Sequence, residues 1–196
     1  MKTFINSIFA GIMISIGSLI YLNCENKIVG AFLFSLGLVT IMFFGFKLFT
    51  GAIGYVRNGK QILEVLLILL GNLIGCAFIL VMPNKIIDGV PVAASAVVSK
   101  LNCPLPYVFG KAVVCGIIIY ICVQMFREHK NWLVTLIGIP TFILCGAEHS
   151  IADTCFIYAA HMVNLQTVLF LAVVVLGNAV GSLIVGLWMD YRDKLK

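Results

Sequence analysis

Charged side chains are scarce in this sequence. Asp, Glu, Lys and Arg together make up 11% of its 196 residues, whereas a soluble domain has about 25%. Hydrophobic residues make up 62%. A chain with so few charges and such long apolar runs cannot cover itself with a polar surface, which excludes water-soluble folds. The sequence therefore predicts an integral membrane protein.

Several chemical motifs are also missing. The seven cysteines form no C-x-x-C pair, which argues against a zinc or redox site. There is no H-E-x-x-H and no nucleophile with a clear base, so a membrane-embedded enzyme is only a weak alternative. The basic residues are scattered without a stripe, which argues against nucleic acid as a partner. We therefore expect no catalytic residues, no metal and no cofactor.

What the sequence does contain is six runs of roughly the length that crosses a bilayer as a helix. The runs are Phe4–Asn23, Ile28–Ile53, Ile62–Met82, Pro104–Phe126, Trp132–Tyr158 and Leu165–Met189. We interpret the first run as a retained span, because its apolar part is long and no Ala-x-Ala-like cleavage site follows it. The loop between the third and fourth runs contains AASAVVSKL, which predicts a short helix at the membrane interface.

The distribution of lysine and arginine predicts the orientation of the spans. If both termini are cytoplasmic, eight basic residues lie on the inner side: Lys2, Arg57, Lys60, Arg127, Lys130, Arg192, Lys194 and Lys196. Three lie on the outer side: Lys27, Lys85 and Lys100. This excess satisfies the positive-inside rule. We expect a multi-pass protein of the inner, cytoplasmic membrane.

Two pairs of segments echo each other along the chain. GNLIGCAFIL (Gly71–Leu80) and GNAVGSLIVG (Gly177–Gly186) share G-N-x-x-G inside an apolar run, where small residues let helices approach closely. GFKLFTGAIG (Gly45–Gly54) and CGAEHSIAD (Cys145–Asp153) each bring polar groups into an apolar run. Three spans in each half require opposite insertion. The pattern predicts one domain, residues 1–196, of two inverted repeats over about 1–82 and 104–189, each with a broken second helix.

These motifs, in this order, resemble the formate/nitrite transporter family: FLFSLGL and KLFTG, GNLIG, GAEHSIAD and LGNAVG. The resemblance covers almost the whole chain, although the chain is short for the family. It implies an aquaporin-like fold of six spans, assembled as a homopentamer with a pore in each protomer. It also implies a small monovalent anion, such as formate, nitrite or hydrosulfide, as the substrate.

The resemblance further implies where the pore residues lie. Leu48, Phe49 and Thr50, joined by Leu38, match the cytoplasmic constriction, and Phe34 and Phe142 match the outer one. His149 matches the central histidine with Thr50 opposite it, and Lys130 lies near a family lysine at the cytoplasmic mouth. The chain departs from the family at four positions, where it has Lys47, Gly116, Gln124 and Asp153.

The residues also carry expectations of their own. Ionisable groups at membrane depth tend to mark pathways, which favours a pore role for His149 over simple packing. A carboxylate would repel an anion, so we expect Glu148 to cap amides or to pair with a basic group. Lys47 and Asp153 suggest a pairing with each other. Asn72 and Asn178 are expected to be structural rather than substrate-binding.

The sequence thus predicts an all-α channel for small monovalent anions of weak acids, bidirectional and pH-dependent, embedded in lipid. Two apolar constrictions would exclude hydrated ions by dewetting, while a weak acid can cross in its neutral form. A channel for a neutral solute, ammonium or urea is the nearer alternative. Against it, the chain lacks paired Asn-Pro-Ala motifs, and only one histidine falls at pore depth.

Overall fold

The computed structural model describes residues 1–82 and 90–195. Nine α-helices and two short 3₁₀-helices account for most of these residues. The α-helices are α1 Lys2–Asn23, α2 Lys27–Phe44, α3 Phe49–Ala52, α4 Gly59–Cys76, α5 Val90–Leu101, α6 Leu105–His129, α7 Leu133–Leu144, α8 Ser150–Ala159 and α9 Leu165–Lys194. The 3₁₀-helices, Ile53–Tyr55 and Ala77–Val81, continue α3 and α4. Lys85 and Lys196, which were counted for the orientation, lie outside the described residues.

Five of the helices described here are long and apolar enough to cross a membrane: α1, α2, α6, α9 and α4 with its 3₁₀ extension. The predicted all-α membrane fold with interrupted second and fifth spans is confirmed. The second predicted span, Ile28–Ile53, is divided into α2, α3 and a 3₁₀ turn. The fifth, Trp132–Tyr158, is divided into α7 and α8.

Both interruptions start at a glycine with a left-handed backbone. Gly45 ends α2 with φ 69° and Gly146 follows α7 with φ 71°, a conformation that a side chain disfavours. The next residues turn back in the same way: Phe46 N–H donates to Ile41 O and Ala147 N–H donates to Phe142 O, both at 2.9 Å. This is the closing hydrogen bond of a Schellman motif. The backbone therefore leaves α2 and α7 with the same geometry.

Close helix contacts bring α4 onto α1 and α9 onto α6. An added Cβ at Gly75 would lie 2.1 Å from Ile8 O, and one at Gly181 would lie 2.0 Å from Val113 O. Neither position has room for a side chain. The two G-N-x-x-G segments are thus where the backbones of neighbouring helices touch.

The helix predicted in the third-to-fourth loop is α5. Its Ala93 and Val97 are fully or almost fully buried, so the helix is packed into the protein rather than only resting at an interface. It lies against α8. This packing brings Lys100, near the end of α5, to the second helix break.

Candidate functional site

Asn72 of α4 holds the start of α3 at the first break. Its Oδ1 accepts a hydrogen bond from Phe49 N–H at 2.8 Å. Its Nδ2 donates to Ser7 O at 2.7 Å and to Lys47 O at 2.8 Å. The side chain is fully buried, and both its donor hydrogens are used. Asn72 therefore ties the break to α1 and α4.

Asn178 of α9 makes the equivalent contacts at the second break. Its Oδ1 accepts from Ser150 N–H at 2.9 Å, and its Nδ2 donates to Ala112 O and Glu148 O, both at 2.8 Å. In a buried, low-dielectric setting these otherwise unpaired backbone groups need such partners. The structure places both asparagines in the frame of the breaks, where their donors are not free for a substrate.

His149 and Thr50 meet between the two breaks. Thr50 Oγ1 lies 3.1 Å from His149 Nε2. Nδ1 of the same imidazole accepts a hydrogen bond from Ala152 N–H at 3.1 Å, so His149 caps the start of α8. Because Nδ1 is an acceptor, these hydrogen bonds fit the neutral imidazole with its proton on Nε2. That proton points at the Thr50 hydroxyl.

Two cavities lie near this pair: His149 lines one of them, and Leu48 and Gly51, on either side of Thr50 in the chain, line the other. The larger has a volume of about 440 Å³ and includes Leu38, Leu48 and Lys47 in its lining. The smaller has a volume of about 140 Å³ and includes His149 and Lys100. Within the described residues, the two linings have no residue in common.

Two phenylalanine rings pack together in the lining of the smaller cavity. Phe34 and Phe142, which both line this cavity, meet edge to face with ring centroids 6.4 Å apart. Phe142 also stacks on the imidazole of His149, with centroids 5.6 Å apart. All three side chains are almost completely buried. A hydrated ion would have to shed its water to pass between them.

Two leucines take the corresponding place in the lining of the larger cavity. Leu38 and Leu48 line the cavity and are almost fully buried. Phe49 differs from the expectation: it is buried but lines neither of the two cavities. Its backbone N–H, bound by Asn72, is the part of Phe49 that serves the break.

Basic side chains surround the mouth of the larger cavity. Lys47, Arg127 and Lys130 contribute to its lining, against the single carboxylate of Glu64. The Arg127 guanidinium lies 4.1 Å from the centre of the Tyr55 ring, within the range of a cation–π interaction. This mouth therefore presents a positive surface.

Arg57 fixes the far end of the first break to α9. Its guanidinium donates to Gly54 O at 2.7 Å and to Val56 O at 2.8 Å, and it pairs with Asp190. The hydrogen bond to Asp190 raises the pKa of Arg57 above its ordinary value. The charge of Arg57 is thus paired with that of Asp190.

Lys100 is the residue that the sequence argument missed. Its Nζ contacts the carboxylate of Glu148 and lies 3.0 Å from Asp153 Oδ1. The expected pairing of Glu148 with a basic group is therefore present, with Lys100 as the partner. The suggested pairing of Lys47 with Asp153 is wrong: Lys47 lines the larger cavity, while Asp153 lines the smaller one and pairs with Lys100.

Two other departures from the family pattern have structural surroundings. A Cβ at Gly116 would lie 2.3 Å from Asn178 O, so this position too accommodates a close helix contact. Gln124 accepts a hydrogen bond from the Tyr55 hydroxyl and donates to Glu128 at 2.6 Å. Both residues support the frame around the first and second breaks.

The fold and the site together define a multi-pass helical membrane protein with two interrupted helices that meet at a buried threonine–histidine pair. The family model described as formate/nitrite transporter matches residues 1–191. The chain belongs to this family.

Individual relatives agree with this membership. The formate channel FocA of Escherichia coli strain K12 is 26% identical, and the matched region covers 78% of this chain and 64% of FocA. The FocA protein of strain O6:H1 matches with the same values. The chain thus spans 64% of the length of these relatives, slightly less than two thirds.

Solved structures share the fold. A pentameric formate channel with formate bound superposes with a TM-score of 0.83 at 21% identity, covering 100% of this chain and 97% of that one. A structure described as an FNT family ion channel gives a TM-score of 0.85 at 20% identity, with coverages of 97% and 90%.

Proposed function

We propose that this protein is a channel for small monovalent anions of weak acids, of the formate, nitrite or hydrosulfide class. It would act in the cytoplasmic membrane as a homopentamer with one pore in each protomer, without catalytic activity. Membership of the transporter family and the similarity to formate channels support this proposal. The observation that carries it is the buried contact between Thr50 and His149, with one cavity lined by His149 and another lined by Leu48 and Gly51, on either side of Thr50 in the chain.

The charge distribution supports an orientation with both termini in the cytoplasm. The larger cavity, with Lys47, Arg127 and Lys130, would then face the cytoplasm and the smaller cavity would face outward. The equivalent hydrogen bonds of Asn72 and Asn178 support two inverted repeats, over about 1–82 and 104–189.

The chemistry of passage follows from the order of these groups. The basic mouth raises the local concentration of anions. The leucine and phenylalanine barriers oppose a bare charge but admit a neutral acid. Between the barriers, the Nε2–H of His149 and the hydroxyl of Thr50 are the polar groups that a small acid or anion can meet. Flux in both directions, with a dependence on pH, is the expected result.

A flux measurement tests this function directly. Purified protein in liposomes would be given formate, nitrite, hydrosulfide, acetate, chloride, ammonium and urea at about pH 5.5 and 7.5, on either side of the range where an ordinary histidine titrates. We expect flux of at least one small weak-acid anion. Flux of ammonium or urea with every anion silent would contradict the proposal. Native mass spectrometry should give five protomers, and a monomer would contradict the assembly.

The variant His149→Asn isolates the contribution of the imidazole. Asparagine is a favoured N-cap and can accept the hydrogen bond from Ala152 N–H, so α8 should keep its start. Loss of a hydrogen-bond donor to a charged or reacting group costs about 2 kcal/mol, so anion flux should fall about thirtyfold. The matched control is His161→Asn, at an exposed loop position with φ 53° that asparagine tolerates. Equal flux in the two variants would remove His149 from the pathway.

A further inference from the structure

Beside the smaller cavity, one lysine contacts two carboxylates. Lys100 reaches both Glu148 and Asp153. The carboxylate side chains are each 3% exposed, and that of Lys100 is 21% exposed. Counted with ordinary charges, one positive group faces two negative groups. A buried negative charge without a partner is costly, so this arrangement favours taking up one proton.

Asp153 has a polar atom to spare for this role. Its Oδ1 contacts Lys100, while its Oδ2 is buried and, within residues 1–82 and 90–195, has no hydrogen-bond partner. Asp153 lines the smaller cavity together with Phe34 and Phe142. Glu148 does not line this cavity. Among the described residues, Asp153 therefore combines a place in the lining of the smaller cavity, near Phe34 and Phe142, with one buried carboxylate oxygen that has no hydrogen-bond partner.

Lys111 of α6 lies near Gly146 in the lining of the smaller cavity, with its Nζ 3.9 Å from the position of an added Cβ. The other titratable groups around α8 do not supply a second cation. They are Tyr21 from α1, Cys76 from α4, Cys115 from α6, Cys155 and Tyr158 from α8 itself, and His149 from the break. The Nδ1 of His149 already accepts from Ala152 N–H, and its Nε2 faces Thr50. Within the described part of the chain, Lys100 is the cation that faces Asp153.

We propose that Asp153 is the residue with which a weak acid exchanges its proton in the smaller cavity, and that Glu148 and Lys100 are its positioning residues. An arriving anion takes the proton from the carboxyl of Asp153: the O–H bond at Oδ2 breaks, its electron pair stays on Oδ2, and a new bond forms from the proton to the anion. The neutral acid then passes Phe34 and Phe142. Hydronium from the aqueous side restores the carboxyl, and acid moving the other way reverses the step.

This inference rests on the proposed function, but one of its tests does not require transport. Infrared spectroscopy of the full-length protein in liposomes, at about pH 6 to pH 8, detects protonated carboxyl groups above the ordinary titration range of exposed ones. We expect a carboxylic acid band in the wild type. Asp153→Asn should abolish it. Glu148→Gln should abolish it too, because one carboxylate then balances one lysine.

Two further variants serve as controls for the infrared band. Lys100→Arg keeps the positive charge and should keep the band. Glu25→Gln, at an exposed position in the loop between α1 and α2, should also keep it. A wild type without the band, or a band that survives in Asp153→Asn or Glu148→Gln, would overturn the proposal whether or not the protein transports anions.

Formate flux supplies the second readout. Asparagine is nearly isosteric with aspartate and can keep the contact with Lys100, so a purely structural role predicts little change. We expect Asp153→Asn to lower the flux of formate by about tenfold or more, because a positioned proton-transfer group contributes a factor of about 100 or greater to a step that it limits. Glu25→Gln should stay within about twofold of wild type. Unchanged flux in Asp153→Asn, in a wild type that transports formate, would contradict proton exchange at this residue.

Discussion

The two helix breaks are held by equivalent hydrogen bonds but carry side chains of opposite charge. In each, a left-handed glycine follows one helix, and an asparagine two α-helices further along accepts a hydrogen bond from the first amide of the helix between them. The carbonyl that the asparagine amide binds belongs to Lys47 at the first break and to Glu148 at the second. A basic and an acidic residue thus occupy equivalent positions.

The residues that hold the two breaks in place are thus distinct from the residues whose charges differ between them. The frame uses backbone groups, two asparagines and several glycines, none of which constrains the side chains of Lys47 or Glu148. At the first break the basic side chain is exposed at a large cavity. At the second the acidic side chain is buried against Lys100. The two breaks therefore differ in both the sign and the exposure of the charge that they carry.

The largest effect should come from breaking the frame itself. Asn178→Leu leaves Ser150 N–H, Ala112 O and Glu148 O without their partner, and Asn72→Leu does the same at the first break. Buried groups left unpaired cost about 1–3 kcal/mol each, so we expect a loss of about 3 kcal/mol or more in each variant. Thermal unfolding of the detergent-solubilised protein measures it.

The exposed Asn102→Leu is the matched control for these asparagines and should leave the unfolding temperature almost unchanged. If one of the two frame variants unfolds like the control, the two breaks are not equivalent.

A smaller effect is expected where the helices touch. Gly75→Ala and Gly181→Ala each place a Cβ about 2 Å from a carbonyl oxygen of the neighbouring helix, and such overpacking costs about 2 kcal/mol. Gly110→Ala, with nothing within 4 Å of its added Cβ, should instead stabilise α6 by about 0.5 kcal/mol or more through helix propensity. Equal melting temperatures for Gly75→Ala and Gly110→Ala would refute the close contact between α1 and α4.

The smallest effect tests the chemistry rather than the frame. Lys47→Gln removes one of three basic side chains from the larger cavity and should lower anion permeability about threefold at low ionic strength, by weakening the local potential. The effect should shrink in about 0.5 M of an impermeant salt, because screening shortens the reach of the charge. Lys60→Gln, near the start of α4 and outside the cavity lining, is the control. A loss that is independent of salt would assign Lys47 a structural role.

Much of the frame was predictable from the sequence. The lengths of the apolar runs predicted the spans. The polar groups that follow Gly45 and Gly146 predicted the interruptions, because unwound backbone in a membrane needs protein around it. Asn72 and Asn178 were expected to be structural, because an asparagine in G-N-x-x-G can hydrogen-bond across a close helix contact. The exact end of α2 at Phe44 was not predictable, since apolar residues continue on both sides of Lys47 as far as Ile53.

The pairing of charges was beyond reach of the sequence for a different reason. Lys100 and Glu148 are far apart along the chain and meet only because α5 packs on α8. Lys47 and Asp153 carry opposite charges near the two breaks, but the sequence does not show that they line different cavities. Phe49 shows a third limit: Leu48 is extended and Phe49 begins α3, and the sequence does not show that of these two residues only Leu48 lines the larger cavity.

The equal spacing within the two breaks has a consequence for engineering. The segment from Gly45 to Phe49 and the segment from Gly146 to Ser150 contain the same number of residues between the left-handed glycine and the amide held by asparagine. An exchange of the two segments would therefore keep the length of the chain and the spacing between each glycine and its asparagine-bound amide. It would also swap the positions of Lys47 and Glu148, and so reverse the sign of the charge at each break, while moving His149 away from the start of α8 that it caps.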